Sequence, residues 1–306
     1  MKPLLKWVGG KRQLLPALRP YYAKDFGAYI EPFFGSGAVF FDLWEQGLLA
    51  GRTVVLIDSN PDLIGCYHMV RDAPMAVADT LEQLADEHAR GGRECYYRVR
   101  DERFNPARAE RRREDGSIAY TPDLAAMLIY LNRTGFNGLF RVNASGAFNV
   151  PAGRYERPRI ADRERVLQVA AALGAPGVSL RWSSFAEAER IAVAGDFLYI
   201  DPPYAPLSDT ANFTSYTAAR FDAASQTSLQ QMVLELSRRG CQVLLSNSTA
   251  PVITSLYERN RDAKRAGLRA LRVPARRAVN SNAARRGPVD EYLITNIELA
   301  AAGAGC

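Results

Sequence analysis

Histidine and cysteine are both scarce in this chain, which has two histidines (His68 and His88) and four cysteines (Cys66, Cys95, Cys241 and Cys306). Two histidines leave little material for a multi-histidine metal centre or a histidine-based triad. The cysteines are scattered without a CxxC pair, which argues against a zinc site or a disulfide framework and suits a reducing compartment. No metal is therefore expected. Apolar runs of about eighteen residues are also missing, so no membrane span is expected. The segment from Met1 to Trp7 lacks the long apolar core of a signal peptide, and the expected location is cytoplasmic. Two phosphate-binding patterns are incomplete. Gly9-Gly10-Lys11 is followed by Arg12 where a Walker A loop needs Ser or Thr, and the first glycine of that loop is absent. Gly35-Ser36-Gly37 is followed by Phe40 where a dinucleotide fingerprint needs its third glycine. A nucleoside triphosphate and a pyrophosphate ligand are both disfavoured.

What is present is a chain of 306 residues, 47% hydrophobic, long enough for one large domain or one core with a sizeable insertion. Its net charge is +6. Basic proteins of this size often meet a polyanion; a surface excess without function is the alternative, and charge alone does not choose between them.

The chain is organised around Asp201-Pro202-Pro203-Tyr204, which follows the apolar run from Asp196 to Ile200. That run reads as a buried parallel strand, and in open α/β sheets ligands sit just past the carboxyl ends of strands. Two consecutive prolines remove two backbone donors. What remains is a rim of acceptors, the Asp201 carboxylate and nearby carbonyls, beside the aromatic face of Tyr204. Such a rim suits a planar ring with an exocyclic amine. The acceptors hold the amino hydrogens and expose the nitrogen lone pair for attack on an activated methyl group.

Upstream, Tyr29 to Glu31 reads as a strand end, Gly35-Ser36-Gly37 as a tight turn and Ala38 to Leu49 as a helix, with loop N–H groups offered at the helix start to a carboxylate. A helical pattern also spans Gln13 to Tyr22. Val54 to Asp58 is a second apolar strand ending in an acid, one βαβ unit beyond the glycine loop. A carboxylate at that place accepts from both hydroxyls of a ribose. A glycine loop and a strand-end acid without a pyrophosphate pattern point to an adenosine ligand lacking phosphates, and S-adenosylmethionine fits. Trp7 and Lys11 wall and charge the edge of that pocket on this reading; a packed arm with a solvated lysine is the alternative.

Between Leu63 and Leu131 strand patterns vanish and helical periodicity appears over 63–71, 76–90 and 123–131. The charge-rich stretch from Asn105 to Gly116 reads as a solvated loop, with a DNA contact as the alternative. Leu139 to Asn143 and Ala147 to Val150 read as two short strands around Ala144-Ser145-Gly146, a hairpin. Its exposed chemistry is expected from Arg133, Asn137, Arg141, Asn143, Asn149 and Arg154, with Phe140 and Phe148 as its small core. Arginine grips guanine as a bidentate donor and asparagine reads adenine. Further strands are expected over 178–182, 196–200 and 241–245 and over the final pair 268–279 and 290–297, with helices over 185–192 and 226–239. Ser246 to Ser248 either line the pocket or cap a helix. Residues 205–220 read as a lid, and the loop 280–288 with Arg285 and Arg286 as a phosphate contact, beyond Arg276 and Arg277.

Lys6-Trp7-Val8-Gly9-Gly10-Lys11, Glu31-Pro32-Phe33-Phe34-Gly35-Ser36-Gly37, Asp58-Ser59-Asn60, the block from Asn132 to Tyr155 and Asp201-Pro202-Pro203-Tyr204 together resemble the DNA adenine methyltransferases of the Dam type, in that order and over nearly the whole chain. The resemblance implies an α/β, Rossmann-like fold with a mixed seven-stranded sheet and a helical target-recognition insertion. The expected division is 1–62 and 158–306 for the catalytic domain and 63–157 for the insertion. It implies transfer of a methyl group from S-adenosylmethionine to adenine N6 in double-stranded DNA, on a base flipped from the duplex. Asp201, Pro202 and Tyr204 are then the catalytic residues. Trp7, Lys11, Phe34, Gly35, Asp58 and Asp201 hold the donor, and Lys6, Arg133, Asn137, Leu139, Arg141 and Asn143 face the DNA, with Arg141 on a guanine beside the target. A monomer and a GATC site are expected, in the setting of DNA methylation or restriction–modification. Val142 and the short Ala144-Ser145-Gly146 turn depart from more polar residues seen in some members, which touches the site preference. Cytosine N4 methylation, RNA methylation and an inactive DNA-binding module are the rival readings.

Overall fold

The computed structural model describes residues 1–7, 9–206, 221–276 and 288–299. Seven strands, β1 (Tyr29–Glu31), β2 (Val54–Asp58), β3 (Val178–Trp182), β4 (Phe197–Ile200), β5 (Gln242–Ser248), β6 (Arg269–Arg276) and β7 (Pro288–Thr295), form one sheet in the order β3-β2-β1-β4-β5-β7-β6. The first five are parallel, and β7 enters antiparallel between β5 and β6. The mixed seven-stranded α/β sheet expected from the sequence is therefore the fold. Strand order reverses between β1 and β4, and such a reversal opens a crevice at the carboxyl ends of the central strands.

Side chains alternate across the sheet. Val54, Leu56, Phe197, Tyr199 and Leu244 join one core, and Val55, Ile57, Leu198, Ile200, Val243 and Leu245 join the other. Helix α9 (Ala223–Arg238) covers the second face with the short α8 (Glu187–Ile191). On the first face lie α2 (Ala38–Glu45), α3 (Pro61–Asp72), α4 (Pro74–Arg98), α6 (Pro122–Thr134) and α7 (Arg163–Leu173). The helices of the 63–157 stretch thus share their apolar core with the sheet. α4 continues past the expected end at residue 90, with a break at Gly92 (φ 48, ψ −125) that a residue with a side chain rarely adopts.

Four expectations are corrected. The single helix over 13–22 breaks into a 3₁₀ turn at Lys11–Gln13, α1 (Leu15–Leu18) and a second turn at Arg19–Tyr21; Pro20 has no N–H to continue the ladder. α7 was not anticipated, although Asp162 caps it by accepting from the Arg165 N–H at 3.3 Å. The 105–116 stretch holds α5 (Asn105–Glu110) and a small turn closed by an Arg112–Ile118 bridge. The two strands of the 139–150 hairpin reduce to a single Val142–Phe148 bridge, because the segment leans on its neighbours rather than on a ladder of its own. Of the expected lid (205–220) and basic loop (280–288), residues 207–220 and 280–287 lie outside the described residues.

Candidate active site

β4 ends at Ile200, and its next residue carries the central acid. Asp201 Oδ1 lies 2.8 Å from Lys11 Nζ and accepts from Ser246 Oγ at 3.0 Å. Ser246 is buried on the adjacent strand β5 and is also within 3.2 Å of the Tyr199 hydroxyl. Oδ2 of Asp201 has no partner among the described residues. Burial raises the Asp201 carboxyl above its ordinary value, and Lys11 and Ser246 oppose that rise.

Lys11 is itself 7% exposed. Its Nζ also donates to the Gly9 carbonyl at 2.6 Å and sits 4.3 Å from the centroid of the Tyr204 ring, a cation–π distance. The Tyr204 hydroxyl donates to Glu291 Oε2 at 2.8 Å. Burial, then Asp201 and Glu291, push the Tyr204 phenol well up, so it stays a neutral donor. Pro202 is buried and Pro203 exposed, and the Pro203 carbonyl accepts from Gln226 Nε2 at 2.9 Å.

The residues expected to hold the donor lie at the carboxyl ends of β1 and β2. Asp58 ends β2, accepts the Gly35 N–H on Oδ2 at 2.9 Å and the Asn60 N–H on Oδ1 at 2.9 Å, and is raised by burial. Each oxygen keeps a lone pair beyond these bonds. The Trp7 indole lies against Gly35, where a Cβ would stand 3.1 Å from the ring and where φ is +50°. Glycine at 35 is thus required twice, by sterics and by backbone. The far side of Trp7 stacks on Phe140 of the hairpin, with centroids 5.9 Å apart. Phe34 is buried, and its N–H bonds to the Ile57 carbonyl at 2.9 Å, locking the glycine loop onto β2.

One expectation about this loop is corrected. The Gly35 and Gly37 N–H groups are spent on Asp58 and on the Phe34 carbonyl. Nearby, Glu31, 2% exposed, accepts from the Tyr29 hydroxyl at 2.7 Å, and the Phe40 N–H in the first turn of α2 favours its charged form. Burial drives the Glu31 carboxyl well above its usual range.

The residues assigned to DNA divide. Arg141, Asn137, Asn143 and Lys6 are exposed, and Leu139 is half-buried against the core. Arg141 donates from Nε to Asn149 Oδ1 at 2.8 Å, which aims its guanidinium. Asn137 holds φ +54°, uncommon for a residue other than glycine and a mark of a constrained site. Asn143 Oδ1 is committed to its own turn, accepting from Ser145 Oγ and the Ala147 N–H. The exposed role expected of Arg133 is corrected: it is 6% exposed and donates to the carbonyls of Leu4 and Arg159. A guanidinium is fixed there because it can satisfy several buried carbonyls at once. Phe140 and Phe148 are core, as expected.

Sequence reasoning missed Glu291 and Asn132. Glu291 reaches Tyr204 only because β7 pairs with β5 in the register Ser248 to Glu291. Asn132, 2% exposed, ties the Lys6 backbone on both sides, accepting from its N–H at 2.8 Å and donating to its carbonyl at 2.7 Å. Its place at the head of the Asn132 to Tyr155 block was the one available signal.

A family model described as D12 class N6 adenine-specific DNA methyltransferase matches residues 7–272, which contain Trp7, Lys11, the Gly35 loop, Asp58, Arg141, Asp201 and Tyr204. The chain belongs to that family. Among curated relatives, the Type II methyltransferase M1.LlaDCHI of Lactococcus lactis subsp. cremoris is 35% identical, covering 97% of this chain and 95% of that protein. The Type II methyltransferase M.MjaIII of Methanocaldococcus jannaschii is 34% identical, covering 97% and 99%. The DNA adenine methylase of Escherichia coli (strain K12) is 34% identical, covering 95% and 94%. The protein is accordingly an adenine-specific DNA methyltransferase, and DNA is its substrate. No helix among the described residues is long and apolar enough to cross a membrane, and no cluster of ligating side chains suited to a metal ion occurs among them.

Proposed function

We propose that this methyltransferase acts on adenine N6 of double-stranded DNA at a GATC-type site, as a monomer, with S-adenosylmethionine as donor and the target base flipped out of the duplex. The observation that carries the reading is the grouping of Asp201, Tyr204 and Lys11 at the carboxyl end of β4, next to the Gly35 loop that follows the adjacent β1 and two strands from Asp58 at the end of β2. That pocket suits an adenosine without phosphates, because its acid retains lone pairs for ribose hydroxyls while the Gly35 and Gly37 N–H groups of its loop are already spent. When bound, S-adenosylmethionine supplies an electrophilic methyl group.

The chain's residues do the rest. Asp201 Oδ2, without a partner among the described residues, accepts an amino hydrogen of the adenine, while Lys11 and Ser246 hold Oδ1 and orient the carboxylate. Drawing the amino group toward this acceptor exposes the nitrogen lone pair for in-line attack. The amine becomes acidic as it is alkylated, so its proton leaves to solvent without a strong base. Tyr204, fixed through its hydroxyl by Glu291, offers its ring for stacking. Catalysis is then positioning and electrostatics. Arg141 and Asn137 are assigned to base edges, Lys6, Asn143 and Leu139 to the adjoining surface, and Trp7, Lys11, Phe34, Gly35 and Asp58 to the donor.

The test is to expose unmethylated DNA to the enzyme with S-adenosylmethionine and sequence its modified bases. N6-methyladenine within one short motif is expected. Methylcytosine, or no dependence on S-adenosylmethionine, overturns the reading, and calorimetry of donor binding to Asp58→Ala checks the pocket.

A further inference from the structure

The segment assigned above to DNA has almost no backbone ladder of its own: one bridge, at Val142–Phe148, and an Asn143–Gly146 turn. A two-stranded ribbon of that kind does not hold its shape alone in water. Two side chains of α5 supply what is missing. Asn105 closes a pair on Phe148, donating from Nδ2 to its carbonyl at 3.0 Å and accepting its N–H on Oδ1 at 2.8 Å. Arg108, 8% exposed, donates from Nη1 to the Gly146 carbonyl at 2.5 Å. Its other two arms grip Asp62, 1% exposed, with Nε at 2.6 Å and Nη2 at 2.7 Å. Tyr120 donates to the same carboxylate at 2.9 Å. A bidentate fork fixes the guanidinium plane, and so fixes the direction in which the remaining N–H points. Asp62 in turn is anchored by Asn60, whose Oδ1 caps its N–H at 3.0 Å and whose own N–H binds Asp58.

We propose that Arg108 and Asn105 are positioning residues for sequence discrimination: they dock the turn of the 139–150 segment on α5, and Arg108 references it to Asp62 at the start of α3, beside the donor-side acid. Neither touches DNA. They act through Arg141, whose carbonyl accepts the Asn149 N–H at 3.1 Å and whose guanidinium is aimed by Asn149, the residue that follows the clamped Phe148. A bidentate base contact tolerates little displacement, and this is why a slack clamp blurs the reading without stopping the chemistry.

The inference rests on the assignment of this segment to DNA, and the experiment separates the two. The preferred site is first found by modified-base sequencing. Then kcat/KM is measured on that site and on sites with one base pair altered, for the full-length wild type, Asn105→Ala, Arg108→Lys and Arg141→Ala. Asn105→Ala and Arg108→Lys are expected to lower the ratio of preferred to altered sites about tenfold, within the range of one base contact. A loss of folded protein lowers both rates equally and leaves that ratio where it was. Arg108→Lys keeps a cation on Asp62, which guards against stranding a buried carboxylate, and Asn105→Ala decides if Arg108→Lys does not fold. If Arg141→Ala lowers the ratio and both α5 variants keep it, the clamp is refuted. If Arg141→Ala also keeps it, the DNA assignment of the segment fails, and the clamp with it.

Discussion

The two working regions of this molecule are held in different ways. At the strand ends, Asp58 and Asp201 sit on or just past parallel strands, and their partners are backbone N–H groups, Ser246 on the adjacent strand and Lys11. The sheet sets their positions to within a hydrogen bond. The 139–150 segment carries Arg141 on a single bridge, and its place is set by side chains reaching across from α5. Chemistry that must repeat without variation is placed on the rigid element. On the proposed function, recognition is placed on a part held by side chains rather than by the sheet.

The sharpest break between the regions is Asp201→Ala. It should lower methyl transfer by roughly a thousandfold or more, the scale of losing a preorganised electrostatic group, with DNA affinity nearly unchanged; single-turnover transfer and a gel-shift titration check both halves. Near-normal transfer in that variant removes the acid from its role. Next, Arg141→Ala should leave the maximal rate on the preferred site within a few fold and reduce discrimination at one base position by about 1–3 kcal/mol, read from rates on a panel of altered sites.

A third test sharpens the electrostatics of the strand-end region. Burial raises the Asp201 carboxyl and Lys11 opposes it. Removing the cation with Lys11→Met should therefore raise that carboxyl further. Transfer that needs the carboxylate fails as pH falls through its ionisation, so the acid limb of the rate profile should move to higher pH. A limb that stays in place, in single-turnover measurements at saturating donor, separates Lys11 from Asp201.

The smallest effect concerns Glu31. Its carboxyl is raised well above the ordinary value in the folded protein. The folded state then holds a proton that the unfolded state releases, so stability is full below the unfolded value and is lost as pH rises toward the folded one. The slope is at most about 1.4 kcal/mol per pH unit. Glu31→Gln lacks this group, and the stability of the wild type relative to the variant should fall as pH rises above the ordinary glutamate range. Denaturant titrations of both proteins at several pH values measure it.

Much of the site was legible because its residues lie close to strand ends that the sequence announces. Val54 to Asp58 and Phe197 to Asp201 are apolar runs closed by an acid, and a strand is the conformation that buries such a run between two layers. The Gly35 turn was legible for a related reason, since its positive φ and its contact with Trp7 admit only glycine. Arg133 misled because it stands in a polar run, Asn132-Arg133-Thr134, at the head of the expected hairpin block; nothing local says that the carbonyls of Leu4 and Arg159 will surround it. Arg108 was hidden in a charge-rich run that reads as solvated. Its carboxylate partner is Asp62, far away in the chain.

By itself the sequence determined the strands, the acids that end them and the glycine turn, because each follows from the local demand to bury apolar runs and to turn the backbone without a side chain. Only the tertiary structure decided that Ser246 and Glu291 join Asp201 and Tyr204, that Glu31 is buried against the Tyr29 hydroxyl, and that Arg108 faces Asp62. Those pairings depend on strand register and on which buried charges have no nearer partner, and both are fixed only when the whole sheet and its helices close together.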